Sequence, residues 1–278
     1  MPYNTIISPE KALLLAKQPI YLDVRHDLFD PEAGRRAYRE GHLPEARFVH
    51  LDADLSGEIV RGETGRHPLP QPARLRSLFG WLGIGADRQV IVYDDKGGGL
   101  AARAWWLLHW LGHRGGTAVL DGGIQAWATA GGQLTTALPE IEPVTFTTGT
   151  TKFTVADAVE VDRIRRDNSH LLIDSRTADR YRGEVEPIDP VAGHIDGALN
   201  LPWTENLGPD GRLLPPSELK KRLESLGRPV DGGQPVFYCG SGVTACHNIL
   251  AQLVAGAEEP ARLYPGSWSE WIALGKAE

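Results

Sequence analysis

The stretch "QPVFYCGSGVTACHNILAQLVAG" (residues 234–256) opens on a short apolar run, passes through a glycine-rich loop that starts at Cys239, and closes on a run of helical periodicity. These residues predict a strand, a tight loop and a helix, because glycines at 240 and 242 permit backbone conformations closed to other residues. The stretch has a counterpart earlier in the chain, "QVIVYDDKGGGLAARAWWLLHWLGH" (89–113), with Asp94 where Cys239 stands. The likeness continues on both sides. "YLDVRHDLFD" and "YREGHLPEARFVHLD" (from Tyr21) resemble "LLIDSRTADR" and "VAGHIDGALNLPW" (from Leu171), and "AVLDGGIQAW" (118–127) resembles "RLYPGSWSEW" (262–271). His42 pairs with His194, Tyr93 with Tyr238 and Trp127 with Trp271. The anchors keep their order at a period far beyond that of solenoid repeats, so a whole domain is duplicated.

Within each half, β-branched runs ("PIYLDV", "QVIVYD", "HLLIDS", "PVFYC") alternate with helical segments such as "ALLLAKQ", "ARLRSLFGWLG" and "PSELKKRLESLG". That alternation predicts an α/β fold of two tandem domains, each a mainly parallel sheet covered by helices on both faces. "LTTALPEIEPVTFTTGTTKF" (134–153) is rich in Thr and Pro and lacks helical periodicity, which reads as a linker. The expected division is a non-catalytic domain at 1–136, a linker at 137–152 and a catalytic domain at 153–278. In such sheets the functional crevice lies beyond the C-terminal ends of the strands. Cys239 and Asp94 both end strand runs.

Composition narrows the function. The 278 residues include 41% apolar and 23% charged residues, ordinary for a globular protein with material for two cores. A net charge of −7 without a basic block disfavours nucleic-acid binding. Two cysteines seven positions apart make neither a disulfide framework nor a CxxC metal site, so no structural metal and no cofactor are expected. So few cysteines suit a reducing compartment. "ALLLA" is too short for a signal segment, and "LAARAWWLLHWLG" (100–112) is interrupted by Arg103 and His109. The expected location is the cytoplasm, without membrane association.

The loop itself suggests an anion nest. Inward N–H groups and the first turn of the following helix stabilise negative charge, and such a site depresses a cysteine pKa. Cys239 then has two readings: an ionised nucleophile, or a small apolar residue at a common strand-to-helix turn. Its position at a strand end, with a degenerate copy at Asp94, favours the first. Cys246, on the helix, reads as a core residue.

These motifs resemble the tandem-domain rhodanese superfamily of sulfurtransferases, and most of all 3-mercaptopyruvate sulfurtransferases, whose loop is similar to CGSGVT at 239–244. The resemblance covers almost the whole chain and includes "GHLPEA", "GHIDGA", "GRHPLP" (65–70), "DGGIQAW" and "GSWSEW". It implies that Cys239 takes sulfur from a small-molecule donor as a persulfide and passes it to a thiol, cyanide or a thioredoxin-like protein. It implies a loop of Gly240, Ser241, Gly242, Val243 and Thr244 around the transferred sulfur, and a proton relay of Ser241, His67 and Asp52, the last two from the first domain. Arg180 matches an arginine that grips the donor's anionic end, a task suited to a guanidinium fork. Arg182 is a weaker candidate, and Arg176 is expected in a structural salt bridge.

Two positions depart from the resemblance. "VEPIDP" (185–190) has Asp189 where a second gripping arginine is usual, and "YPGSW" has Pro265 in place of an aspartate. The first leaves the donor undecided between mercaptopyruvate and thiosulfate. The absence of a cation from the loop favours the less charged mercaptopyruvate. A cysteine phosphatase is disfavoured, since its phosphate-clamping arginine would fall at Ala245. A non-catalytic persulfide carrier is the remaining rival.

Overall fold

The computed structural model describes residues 2–167, 170–227 and 233–277. They form two compact units, Met1–Gly57 with Pro70–Thr151 and Gly208–Leu213, and Glu58–Leu69 with Lys152–Leu207 and Leu214–Glu278. The short segment that contains His67 therefore packs with the second unit.

The first unit runs β1 (Ile6–Ile7), α1 (Pro9–Leu13), β2 (Ile20–Asp23), α2 (Ala33–Glu40), β3 (Arg47–Phe48), α3 (Pro72–Trp81), β4 (Val90–Tyr93), α4 (Ala101–Trp110), β5 (Thr117–Leu120) and α5 (Gly123–Thr129). Its sheet has the order β1-β5-β4-β2-β3 and every pairing is parallel. The helix expected over "ALLLAKQ" lies earlier, because Ser8 caps it and Pro9 supplies a preset first residue. Leu14 falls outside it and is exposed.

The second unit repeats the plan with α6 (Ala158–Asp167), β6 (Leu172–Asp174), α7 (Ala178–Tyr181), β7 (Leu199–Asn200), α8 (Pro216–Glu224), β8 (Val236–Tyr238), α9 (Ala245–Val254), β9 (Arg262–Leu263) and α10 (Ser267–Ala273). The sheet is parallel, in the order β7-β6-β8-β9. The counterpart of β1 is reduced to one bridge, Val155 to Leu263. Strands β4 and β8 are buried along their whole length, so both faces of each sheet are covered.

The duplication extends to the buried polar groups. Asp23 holds Arg25, whose Nη2 also donates to Gly41 O at 2.7 Å; Asp174 holds Arg176, which donates to Gly193 O at 2.6 Å. Tyr93 and Tyr238 accept the N–H groups of Leu43 and Ile195 on their hydroxyls. Tyr38 stacks on His42 and Tyr181 on His194, with centroids 3.9 and 3.8 Å apart. Each unit thus fixes the loops past its strands with the same pairs, and removing one partner of such a buried pair costs about 3–5 kcal/mol.

At the end of β4, Asp94 is fully buried and its carboxylate accepts four backbone N–H groups, from Lys96, Gly98, Leu100 and Ala101, at 2.8–2.9 Å. The loop turns these groups inward through positive φ at Gly97 and Gly98 (68° and 89°). Asp94→Ala leaves those donors without their acceptor, so the protein should lose about 3 kcal/mol of stability. Urea unfolding measures this, and a loss below about 1 kcal/mol would show that the carboxylate contributes little.

Candidate active site

Cys239 is the first residue past β8, and only 2% of it is exposed. Its N–H donates to Ser267 Oγ at 3.1 Å, and its carbonyl accepts the N–H of Trp268 at 3.0 Å. Gly240 O accepts the N–H of Ser269 at 2.9 Å, so the loop hangs from the start of α10. Gly242 has φ +76°, and a Cβ there would lie 2.2 Å from Pro265 O. No other residue fits. Pro265, the second departure from the resemblance, thus seats the loop with its carbonyl.

Burial pushes the Cys239 thiol up, but hydrogen bonds from the Thr244 hydroxyl and from the N–H groups of Ser241 and Ala245 outweigh it and bring the thiol below its ordinary value. This is the arrangement that Asp94 fills with a carboxylate in the first unit. Val243 is buried beside the loop, and its carbonyl accepts the N–H of Cys246 at 3.2 Å. Cys246 itself is buried on α9, the expected core placement, with its thiol 3.5 Å from Gly242 O.

Ser241 and His67 come together: Oγ and Nδ1 share a hydrogen bond of 2.7 Å, and both residues are buried. The segment carrying His67 is anchored within the second unit, where Arg66 N–H donates to Ser269 Oγ at 3.1 Å. Gly65 packs so closely that a Cβ would lie 2.5 Å from Gly266 O. Asp52 lies in the first unit, with its carboxylate 3.7 Å from His26 Nε2 and 4.0 Å from His50 Nδ1. These three residues place possible metal-ligand atoms within 4.8 Å of one another, but His50 Nδ1 already accepts the N–H groups of Asp52 and Ala53.

Arg180, on α7, donates to Glu186 at 2.6 and 3.2 Å and to Asp189 at 3.3 Å. Arg176 lies in the expected salt bridge with Asp174, over the ring of Trp268. Arg182 pairs with Glu184 at an exposed position.

Two residues of this site escaped the sequence reading. Ser267 has φ +57°, a left-handed conformation that costs a serine about 1 kcal/mol or more, where the first unit has Gly123 at φ +60°. Its hydroxyl accepts the Cys239 N–H and donates to Tyr264 O at 3.0 Å. A side-by-side reading of "DGGIQ" and "PGSWS" carries that signal. Arg66 is the other. It pairs with Asp189, and its Nη2 lies 3.0 Å from where a Cβ on Gly240 would be, with the Arg180 Nη atoms 3.6 and 3.7 Å from the same point. The cations missing from the loop's own sequence are therefore brought beside it by other segments.

A thiol drawn toward its anion at a strand end, next to a serine–histidine pair, in a duplicated parallel α/β domain is an arrangement suited to a cysteine nucleophile. The chain belongs to the rhodanese family: the rhodanese-like domain matches residues 9–130 and again 157–274. It is 51% identical over 255 residues to the "Probable 3-mercaptopyruvate sulfurtransferase" of Pseudomonas aeruginosa, covering 91% of this chain and 89% of that one. It is 35% identical over 246 residues to the thiosulfate sulfurtransferase of Rattus norvegicus, covering 86% and 80%. Among solved structures, the 3-mercaptopyruvate sulfurtransferase from Leishmania major superposes with a TM-score of 0.82 at 32% identity, over 99% of this chain and 75% of that one. These relatives are enzymes that transfer sulfur.

Because the Cys239 pKa is lowered on folding, the thiolate fills in as pH rises through that lowered value. Its stabilisation is full above the unfolded thiol's pKa and lost as pH falls through the folded one. Ultraviolet thiolate absorbance, taken as a difference against Cys239→Ser, should inflect below the pH of a free thiol. Thr244→Val should move the inflection up. An inflection that stays put would remove the hydroxyl from the cradle.

Proposed function

We propose that this chain moves sulfur from 3-mercaptopyruvate to a thiol or cyanide acceptor through a persulfide on Cys239. The observation that carries the reading is the Cys239 thiol, buried at a strand end and held toward its thiolate by Thr244 and two backbone N–H groups. The 51% identity to the Pseudomonas aeruginosa protein supports the donor.

In the first half-reaction the Cys239 thiolate attacks the donor's thiol sulfur. The new S–S bond forms as the donor's C–S bond breaks, and the electron pair leaves with the carbon as the pyruvate enolate. The thiol proton reaches that carbon, so the products are pyruvate and a deprotonated persulfide. Ser241 and His67 form the path for the proton, since their 2.7 Å hydrogen bond joins the loop to an imidazole. Asp52 is assigned to the orientation of that relay. Gly240, Gly242, Val243 and Thr244 wall the transferred sulfur, and the cradle that stabilised the thiolate stabilises the persulfide anion. In the second half-reaction a thiolate or cyanide attacks the outer sulfur and Cys239 leaves as thiolate. A thioredoxin-like protein suits the acceptor role.

The domain ending at residue 136 is assigned no nucleophile of its own, because Asp94 fills its cradle. No described helix is long and apolar enough to cross a membrane. Cys239 and Cys246 are not joined in a disulfide, which suits a reducing compartment and the cytoplasm.

Thiosulfate is the competing donor, and kcat/KM for each donor with cyanide as common acceptor decides between them. A higher value for thiosulfate would overturn the donor assignment. Cys239→Ser should lower sulfur transfer at least about a thousandfold with the fold intact. Substantial residual turnover would remove Cys239 as nucleophile. Ser241→Ala should slow the mercaptopyruvate reaction about a hundredfold, and the thiosulfate reaction, which has no thiol proton to move, much less. Equal losses would undo the relay.

A further inference from the structure

Val144 and Phe146, in the stretch that reads as a linker, lie across the ends of α3 and α4 in the first unit. The Val144 N–H donates to Gly80 O at 2.9 Å, and the Gly149 N–H to Leu111 O at 3.3 Å. The Phe146 ring is buried, 5.5 Å from Phe79 and 5.8 Å from His113. This strap closes the groove between the two helices and the starts of β2 and β4. Around it Ile20, Phe79, Leu82, Val90, Leu111 and His113 are all buried.

The duplication marks the same groove in the second unit. Tyr93 and Tyr238 align β4 with β8, and Asp23 and Asp174 align β2 with β6. Gly83 and Gly227 follow α3 and α8 at φ +72° and +78°, and Gly112 and Gly256 follow α4 and α9 at +71° and +98°. In that alignment the six buried residues become Leu171, Leu223, Leu226, Pro235, Ala255 and Ala257, each only half-buried. Among the described residues this groove stays open, as a cavity of about 610 Å³ that these six help to line. A contiguous apolar surface left open in this way marks a place of interaction.

We infer that the groove binds an extended segment of a separate protein, one with a β-branched residue and, two positions on, an aromatic ring. The first unit shows what kind of chain fits. By the same alignment α8 and α9 offer Glu224 O and Ala255 O where α3 and α4 offer Gly80 O and Leu111 O to the strap. Leu223 and Ala257 are smaller than Phe79 and His113, so there is room for a ring of at least phenylalanine size. Gly256 keeps the close approach that Gly112 allows, where a Cβ would lie 2.4 Å from Gly149 O. Glu224 replaces Gly80, whose missing side chain lets Val144 O approach, so the visiting chain lies farther from α8 at that point. Glu224 and Lys220, 3.9 Å apart and exposed at the rim, then meet polar residues beside the apolar pair. Segments bound in this way gain affinity from backbone hydrogen bonds and specificity from side-chain pockets.

Leu171 and Pro235 precede their strands, whereas Cys239 follows β8, so the groove and the cysteine loop lie at opposite ends of the sheet. A partner docked in the groove leaves the loop open, and docking is independent of the donor used at Cys239.

The probe is a fluorescein-labelled peptide of residues 140–151 (EIEPVTFTTGTT), titrated with full-length protein and followed by fluorescence anisotropy. Saturable binding is expected. Phe146→Ala in the peptide, or Leu223→Lys in the protein, should weaken it at least about tenfold. Ala255→Arg serves where circular dichroism shows that Leu223→Lys does not fold. No saturable binding, or binding indifferent to these changes, overturns the inference. So does a dimer in analytical ultracentrifugation that Leu223→Lys dissociates, since the occupant is then a second copy. Anilinonaphthalene sulfonate that binds wild type but not Leu223→Lys, with no binding of the peptide, makes the occupant a small molecule and overturns it equally. None of these readouts needs turnover, so a failure of the sulfur-transfer reading is told apart from a failure of docking.

Discussion

Backbone N–H groups turned inward at the end of a central parallel strand are the constraint around which both units are built. One cradle closes on the Asp94 carboxylate through four N–H groups, and the other draws in the Cys239 sulfur through two N–H groups and a threonine hydroxyl. Both need left-handed glycines, and both hang from the start of a helix, α5 or α10, through a carbonyl at the strand end. A carboxylate and a thiol in one backbone arrangement indicate that the inward N–H groups favour negative charge in both units, and the Thr244 hydroxyl adds to this in the second.

The flank of the second cradle is a chain of buried charges. Asp174 fixes Arg176, Arg176 reaches Glu186, and Glu186 holds Arg180 while accepting the N–H groups of Ile188 and Asp189. This is why a helix of only four residues, α7, can aim an arginine: its direction is set by carboxylates around it and owes little to helix length. The Tyr238 hydroxyl, pinned against Ile195, ties the strand to the same layer.

Much of this was legible in the sequence because it is local or repeated. The loop at 239–244, the strands and the duplication announce themselves in runs of a few residues, and Asp94 shows its meaning only through its copy. What was not legible is long-range. Arg66 has no assignable role until the chain brings it to Gly240 and Asp189, more than a hundred positions away. Asp189 read alone is a missing arginine, because sequence does not show that the fold pairs it with both Arg66 and Arg180. Helix α1 departs from the apolar run for a different reason: the Ser8–Pro9 pair before that run sets its start. Ser267 shows its left-handed φ only beside its copy, Gly123.

Asp94 has one more consequence, for stoichiometry. A carboxylate is no sulfur acceptor, and four N–H groups keep it in place. In the proposed cycle the duplicated chain therefore has one berth for a sulfane sulfur, not two. Loading and unloading must alternate strictly, and an acceptor that arrives late stalls the whole molecule, since the Asp94 cradle gives it no reserve.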